Sequence, residues 1–152
     1  MILWRISHDS VLSGAGGLYA AGRWHAKGRP IVYCALNPAT ALLETLVHME
    51  IDAEDRPEHF QLLKIEGPGT MPPEKIVKNL LPRNWANEIH VTQAIGDLWL
   101  AEKRHLLLQV PSVLVPETWN VLVNPQHENF GRLKISMIYE HAFDARLLKR
   151  FY

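Results

Sequence analysis

Residues 22–44, GRWHAKGRPIVYCALNPATALLE, place a turn, a strand and the start of a helix in succession, and the rest of the chain is arranged around them. Gly28 and Pro30 mark the turn. Ile31-Val32-Tyr33-Cys34-Ala35 is a short β-prone apolar run. Asn37 is a candidate N-cap, and Pro38 suits the first helical position, where a missing N–H costs nothing. Beyond them Ala39, Leu42, Leu43, Leu46 and Val47 recur at helical spacing, which predicts the buried face of a helix over 38–50. Glu44 falls at the edge of that face, with Thr40 and His48 one turn to either side. A carboxylate there is either half-buried or turned into a cavity. Glu44 is therefore the first candidate for chemistry.

At 152 residues the chain is read as one domain, 1–152, long enough to bury a core. Its 47% hydrophobic and 21% charged residues belong to a globular rather than a disordered chain. Acids and bases balance at 16 each, so the basic field that nucleic-acid binding needs is missing. Near-neutral charge also weakens repulsion between copies, which favours association with a partner or with a second copy. Cys34 is the single cysteine. An internal disulfide is excluded, and a thiol in mid-strand reads as buried and inert rather than nucleophilic. Residues 1–5, MILWR, read as the start of the fold rather than as a leader. No apolar run approaches the roughly 20 residues of a membrane span. The expectation is a cytoplasmic protein.

In chain order, residues 1–6 read as a first strand and 7–17 as a polar, then glycine-rich flexible loop. That loop is neither a phosphate-cradling G-x-x-x-x-G-K-[ST] nor a dinucleotide G-x-G-x-x-G unit. An acidic solvated segment over 51–58 precedes a strand over 60–66, which Gly67-Pro68-Gly69 breaks. Residues 76–81 are open to strand or helix, and 81–87 to a loop presenting Trp85. A second helix over 90–105 carries the apolar stripe Val91, Ile95, Leu98 and Trp99. Strands over 106–110, 112–115 and 119–123 follow, punctuated by prolines, then a long strand over 133–143 and a short helix over 144–150. The fold class is α+β: one strand-rich mixed core with helices inserted between strands.

Arg5 follows Trp4, and Arg23 precedes Trp24. Each is either a snorkelling surface residue or one of a pair of planar forks suited to a diphosphate or carboxylate. Tyr33 is a sheet residue or a pocket wall. Ser112, between Pro111 and Val113, lies outside any G-x-S-x-G elbow, so a hydrolase nucleophile is disfavoured. Asn124-Pro125 is a turn or a polar contact at a pocket mouth. The eight histidines form no H-E-x-x-H or other paired metal spacing, so no metal is expected. Pattern alone leads to an α+β domain with a candidate anion pocket.

In order and spacing these residues resemble the RES-domain toxins of bacterial toxin–antitoxin pairs, named for an Arg, a Glu and a Ser. The likeness runs along nearly the whole chain. It is carried by Trp4-Arg5-Ile6, Gly22-Arg23-Trp24, Val32-Tyr33, Leu43-Glu44 with His48, and Gly96-Asp97 with Trp99. It continues through Val110-Pro111-Ser112, Val115-Pro116, Asn120 to Asn124-Pro125, and Phe143-Asp144 with Arg146-Leu147. The resemblance implies an ADP-ribosyltransferase-like fold and an enzyme that takes NAD⁺ as substrate and needs no separate cofactor. Arg5, Glu44 and Ser112 match the naming positions, and Arg23 and Tyr33 the further pocket positions. Glu44, Arg5 and Tyr33 are thus the catalytic candidates, and Arg5, Arg23, Tyr33, Ser112 and Asn124 the NAD⁺-binding ones. One departure is His25, where the usual motif reads G-R-W-N. The implied partner is an Xre-like helix-turn-helix antitoxin that covers the pocket and carries the DNA contact. Water, phosphate or a target protein's side chain is left open as the acceptor, and a non-catalytic NAD⁺-binding module is the reading from another class.

Overall fold

A computed structural model describes residues 1–49 and 57–149. The acidic segment expected over 51–58 falls mostly outside them, as does the last residue of the expected terminal helix. Strand β1 (Ile2–Ile6) leads to a short helix α1 (Gly16–Tyr19), then β2 (Val32–Ala35) and α2 (Pro38–His48). Next come β3 (His59–Glu66), the two-residue β4 (Glu74–Lys75) and α3 (Ile89–Glu102). The chain closes with β5 (Leu107–Pro111), β6 (Trp119–Val123), β7 (Lys134–Ala142) and α4 (Ala145–Leu148). Among the described residues these strands form a single seven-stranded mixed sheet in the order β4-β5-β6-β2-β1-β3-β7, parallel only between β4 and β5. This is the α+β architecture expected, with α1, α2 and α3 inserted between strands.

The centre of the sheet is buried on both faces, so β5 and β6 are apolar on both sides apart from Gln109 and Asn120. Their alternate residues serve two cores. Leu107, Val121 and Val123 join Leu3, Val32, Cys34, Leu63 and Ile65 on one face. Leu108, Val110 and Leu122 join Trp24, Ile31, Trp99 and Leu100 on the other. Burying side chains of this size stabilises by roughly 1.5–3 kcal/mol each.

The sheet is weakest at its middle seam. β2 runs beside β6 from Val32–Val123 to Ala35–Asn120, and β1 beside β3 from Ile2–Glu66 to Ile6–Leu62. Between β1 and β2, however, only Trp4 and Ala35 stand opposite one another. Arg5 bridges the divergence: its Nη1 donates to Tyr33 O at 2.9 Å, supplying a bond that the ladder does not.

Several local expectations change. The N-cap of α2 is as read, with Asn37 Oδ1 accepting from Thr40 N at 2.8 Å and Pro38 first in the helix. Leu46 faces inward as read, but its buried companions are Thr40 and Ala41, while Leu43 and Val47 are exposed. In α3 Trp99 is buried and Ile95 packs on the core as read, but Thr92, Gly96 and Leu100 are the other buried residues and Leu98 is 61% exposed. The reason is close approach. A Cβ on Gly96 would stand 1.7 Å from Trp24 O, so a small residue faces inward where periodicity favours a large one. Residues 112–115 are not a strand but part of the turn between β5 and β6, because Ser112 Oγ accepts from Leu114 N at 3.1 Å in place of a ladder contact. Residues 76–81 resolve to a 3₁₀ turn, Lys78–Leu80, after β4. The glycine-rich loop is tied down: Ile31 N and Gly17 N both bond to the carbonyl of Gly14, whose φ of +69° suits glycine.

Candidate active site

A cleft of about 670 Å³ opens at the β1–β2 seam, within the usual range for small-molecule sites. Its walls include Arg5 of β1, Tyr33 of β2, Glu44 of α2, Arg23 and His25 of the preceding loop, and Asn120 of β6. The fold therefore gathers side chains that are up to 115 positions apart in the chain, from Arg5 to Asn120.

Glu44 is half-buried. Its Oε1 accepts from Ser112 Oγ at 2.8 Å and from Asn120 Nδ2 at 2.7 Å. Charge-assisted bonds of this length fix the carboxylate plane. Both donors use the same oxygen, so among the described residues Oε2 has no partner. Ser112 Oγ also accepts from Leu114 N, so its hydroxyl is occupied on both sides. Asn120 Oδ1 is buried without a partner among the described residues. Flipping the amide would press that oxygen against a carboxylate oxygen, acceptor against acceptor, so Glu44 sets its orientation. Sequence reasoning missed Asn120 as a site residue. The available signal was an amide within the apolar strand Trp119-Asn120-Val121-Leu122-Val123.

The opposite wall is built on α3. Thr92 Oγ1 donates to Arg23 O at 2.6 Å and Gln93 Nε2 to Gly22 O at 2.9 Å. Asp97 Oδ1 accepts from Ala26 N at 3.0 Å and pairs with Arg29 at 3.2 Å. With the backbone thus held, Arg23 Nη1 donates to Ala86 O at 2.7 Å, and Trp24 packs on Trp85 with ring centroids 6.1 Å apart. Both arginines keep further N–H donors in the cleft wall, since a guanidinium carries five. Tyr33 OH accepts from Trp24 N at 3.2 Å and lies 2.8 Å from His25 Nδ1. Burial raises the Tyr33 phenol well above its usual value of 10, with the Trp24 N–H opposing, so the ring stays neutral.

Two residues separate from this group, the candidate Asn124 and Cys34, whose thiol reads as inert. Asn124 does not line the cleft: it is 1% exposed, its Nδ2 donates to Leu100 O at 3.0 Å and its Oδ1 accepts from Gln126 N at 3.0 Å. One end of the amide is spent on α3 and the other on the chain after β6, so Asn124 is corrected from a binding residue to a structural one. Cys34 touches the cleft, but burial pushes its thiol up to about 12 against the opposing charge of Arg5. It is no nucleophile near neutral pH. The arrangement can grip an anionic ligand with two guanidinium groups and set one free carboxylate oxygen beside it.

The RES domain family model matches residues 2–145 of the chain. A protein named Toxin Res from Pseudomonas putida is 44% identical, with 97% of this chain and 99% of that one aligned. The Prs ADP-ribosylating toxin of a Sphingobium species is 35% identical over 97% of this chain and 96% of its own. A Toxin Res from Photorhabdus laumondii is 33% identical over 98% of each chain.

Proposed function

The chain belongs to the RES-domain family, and on that footing we propose that it is a toxin enzyme that binds NAD⁺ and breaks the nicotinamide–ribose bond. The observation that carries this reading is Glu44, whose Oε1 is pinned by Ser112 and Asn120 while Oε2 is left to the cleft. Cleavage of this bond passes through an oxocarbenium-like state, as in glycoside hydrolysis. Positive charge gathers on the ribose while nicotinamide leaves neutral, so a strong acid is unnecessary. What the reaction needs is position and a nearby anion. Glu44 supplies the anion, preorganised by its two donors before the charge develops. Arg5 and Arg23 hold the pyrophosphate through their remaining N–H groups. Tyr33 lays its ring against nicotinamide or ribose. Ser112, with its hydroxyl occupied, keeps Glu44 in place rather than contacting ligand.

The acceptor is water or phosphate in the degradative reading, which would lower cellular NAD⁺ and arrest growth. The second reading is ADP-ribosyl transfer to a target protein, and the name of the Sphingobium relative favours it. The proposed partner is a helix-turn-helix antitoxin occupying the cleft. Val11, Val47 and Val113, exposed in the cleft wall, offer it an apolar seat. A cytoplasmic setting suits a reduced Cys34 and the supply of NAD⁺, and no described helix is long and apolar enough to cross a membrane.

The test is NAD⁺ turnover by purified protein beside Glu44→Ala, with and without phosphate, products resolved by mass. Free ADP-ribose names water, ADP-ribose-1″-phosphate names phosphate, and label from NAD⁺ on a lysate protein names transfer. Loss of NAD⁺ at equal rates in both proteins would remove Glu44 from the chemistry.

A further inference from the structure

Three groups converge on the hydroxyl of Tyr33. Trp24 N donates to it at 3.2 Å, His25 Nδ1 lies 2.8 Å away, and a Cβ on Gly22 would stand 2.6 Å from it. His25 is 4% exposed, so water does not compete for its ring. Its other nitrogen, Nε2, lies 2.9 Å from Ala20 O. A carbonyl oxygen only accepts, so Nε2 carries a proton, and in the neutral ring Nδ1 is then a bare lone pair. The donor in the 2.8 Å contact is therefore the Tyr33 O–H. The space is fitted to the imidazole: Cβ atoms on Gly17 and Gly22 would stand 3.2 Å from Nε2 and 2.8 Å from Cε1.

We propose that His25 decides what Tyr33 offers a ligand: by accepting the hydroxyl's hydrogen bond it leaves the phenol oxygen with a lone pair and no free O–H to donate. The phenol oxygen already accepts from Trp24 N, so one lone pair remains at most. A ligand group meeting that oxygen must be a donor, such as a sugar hydroxyl or a carboxamide N–H. A phosphate oxygen is turned away and left to Arg5 and Arg23. Tyr33 then cannot be the acid that protonates a leaving group, and it acts through its ring and its acceptor. His25 does not touch the reacting atoms in this account. It is a positioning residue acting through Tyr33. The identity of the ligand rests on the NAD⁺ reading; the direction of the hydrogen bonds does not.

The two can be tested apart. ¹⁵N NMR of wild-type protein at neutral pH should find His25 as the Nε2–H tautomer, with its Nδ1 resonance displaced in Tyr33→Phe. An Nδ1–H ring would overturn the inference whatever the enzyme does. In turnover assays on variants with native-like melting, His25→Asn, whose amide oxygen can replace Nδ1 as acceptor, should hold KM for NAD⁺ near wild type. His25→Leu should raise KM roughly tenfold with kcat much less affected, the scale of one hydrogen bond. Added to Tyr33→Phe, His25→Leu should cost nothing more. Multiplying penalties would mean that His25 acts elsewhere, and would sink the proposal. The expected tautomer together with no NAD⁺ binding by wild type would refute the NAD⁺ reading alone and uphold the link between His25 and Tyr33.

Discussion

The two walls of the cleft spend their hydrogen bonds differently. On the α2 side, Ser112 and Asn120 both donate to Glu44 Oε1, and among the described residues Glu44 Oε2 and Asn120 Oδ1 are left without partners. On the α3 side, the contacts run to backbone: Arg23 to Ala86 O, Tyr33 to Trp24 N, His25 to Ala20 O, and α3 itself to Gly22, Arg23 and Ala26. The first wall is a prepared charge on a rigid helix. The second is a loop made rigid so that its side chains face the cleft. Damage to the first should cost chemistry and spare the fold, whereas damage to the second should cost both.

The largest effect expected is at the prepared charge. Glu44→Gln keeps the shape and both neighbours but loses the anion, so kcat for NAD⁺ loss should fall by about 10²–10³, near 2.7–4 kcal/mol, if the loss resembles that of an oxyanion-hole donor. The melting temperature should hardly move. A variant that unfolds instead would erase the distinction between the walls. Asn120→Ala removes one of the two donors and should lower kcat by roughly tenfold or more, since bonds to a charged group are worth about 1.5–3 kcal/mol. Combined with Ser112→Ala its penalty should not simply add, because both donors serve one oxygen. Strict additivity, read from single and double variants, would mean that the two do not act as one clamp.

On the other wall, Gly96→Ala forces a methyl against Trp24 O, which a Cβ would approach to 1.7 Å. Stability should fall by about 1–3 kcal/mol, on the scale of overpacking. Calorimetry should register a drop of several degrees, and KM should rise as Arg23 is displaced. Unchanged melting would show that α3 and the loop yield easily. The smallest effect is at Cys34. With its thiol raised to about 12 by burial, against an ordinary value of 9, the folded protein should resist alkylation at pH 8, where urea-unfolded chain reacts. Labelling of the native state followed by mass spectrometry reads this directly, and rapid native labelling would show that the β1–β2 seam opens.

These contrasts bear on what was legible beforehand. The cap of α2 could be read because Asn37-Pro38 acts through bonds within three residues, and most strands, though not 112–115, could be read because a short β-prone apolar run is a local signal. The faces of α2 and α3 could not. Periodicity assumes that large apolar residues face inward, but α3 turns Gly96 and Thr92 to the loop because close backbone approach and a hydrogen bond to Arg23 O decide its rotation. Ser112 was legible as a site residue only through the family likeness, and its neighbours in sequence gave no hint that its hydroxyl would meet a carboxylate 68 positions away. Asn120 and Asn124 show the same limit from opposite sides. Both are amides at β6, and only their partners separate the one beside Glu44 from the one closed on Leu100 O and Gln126 N.

By itself the sequence determined the class of fold, the neutral net charge, the family likeness, and the presence of Arg5, Arg23, Tyr33, Glu44 and Ser112. Composition, short apolar runs and short-range capping are local signals, and they carry that far. The tertiary structure alone decided that β1 and β2 part at a seam, that Glu44 Oε2 has no partner among the described residues, and that the Tyr33 hydroxyl meets Trp24 N and His25 Nδ1. Each of these is a hydrogen bond or a missing ladder contact between segments distant in the chain, and its direction follows from which donors and acceptors folding leaves within about 3 Å of one another.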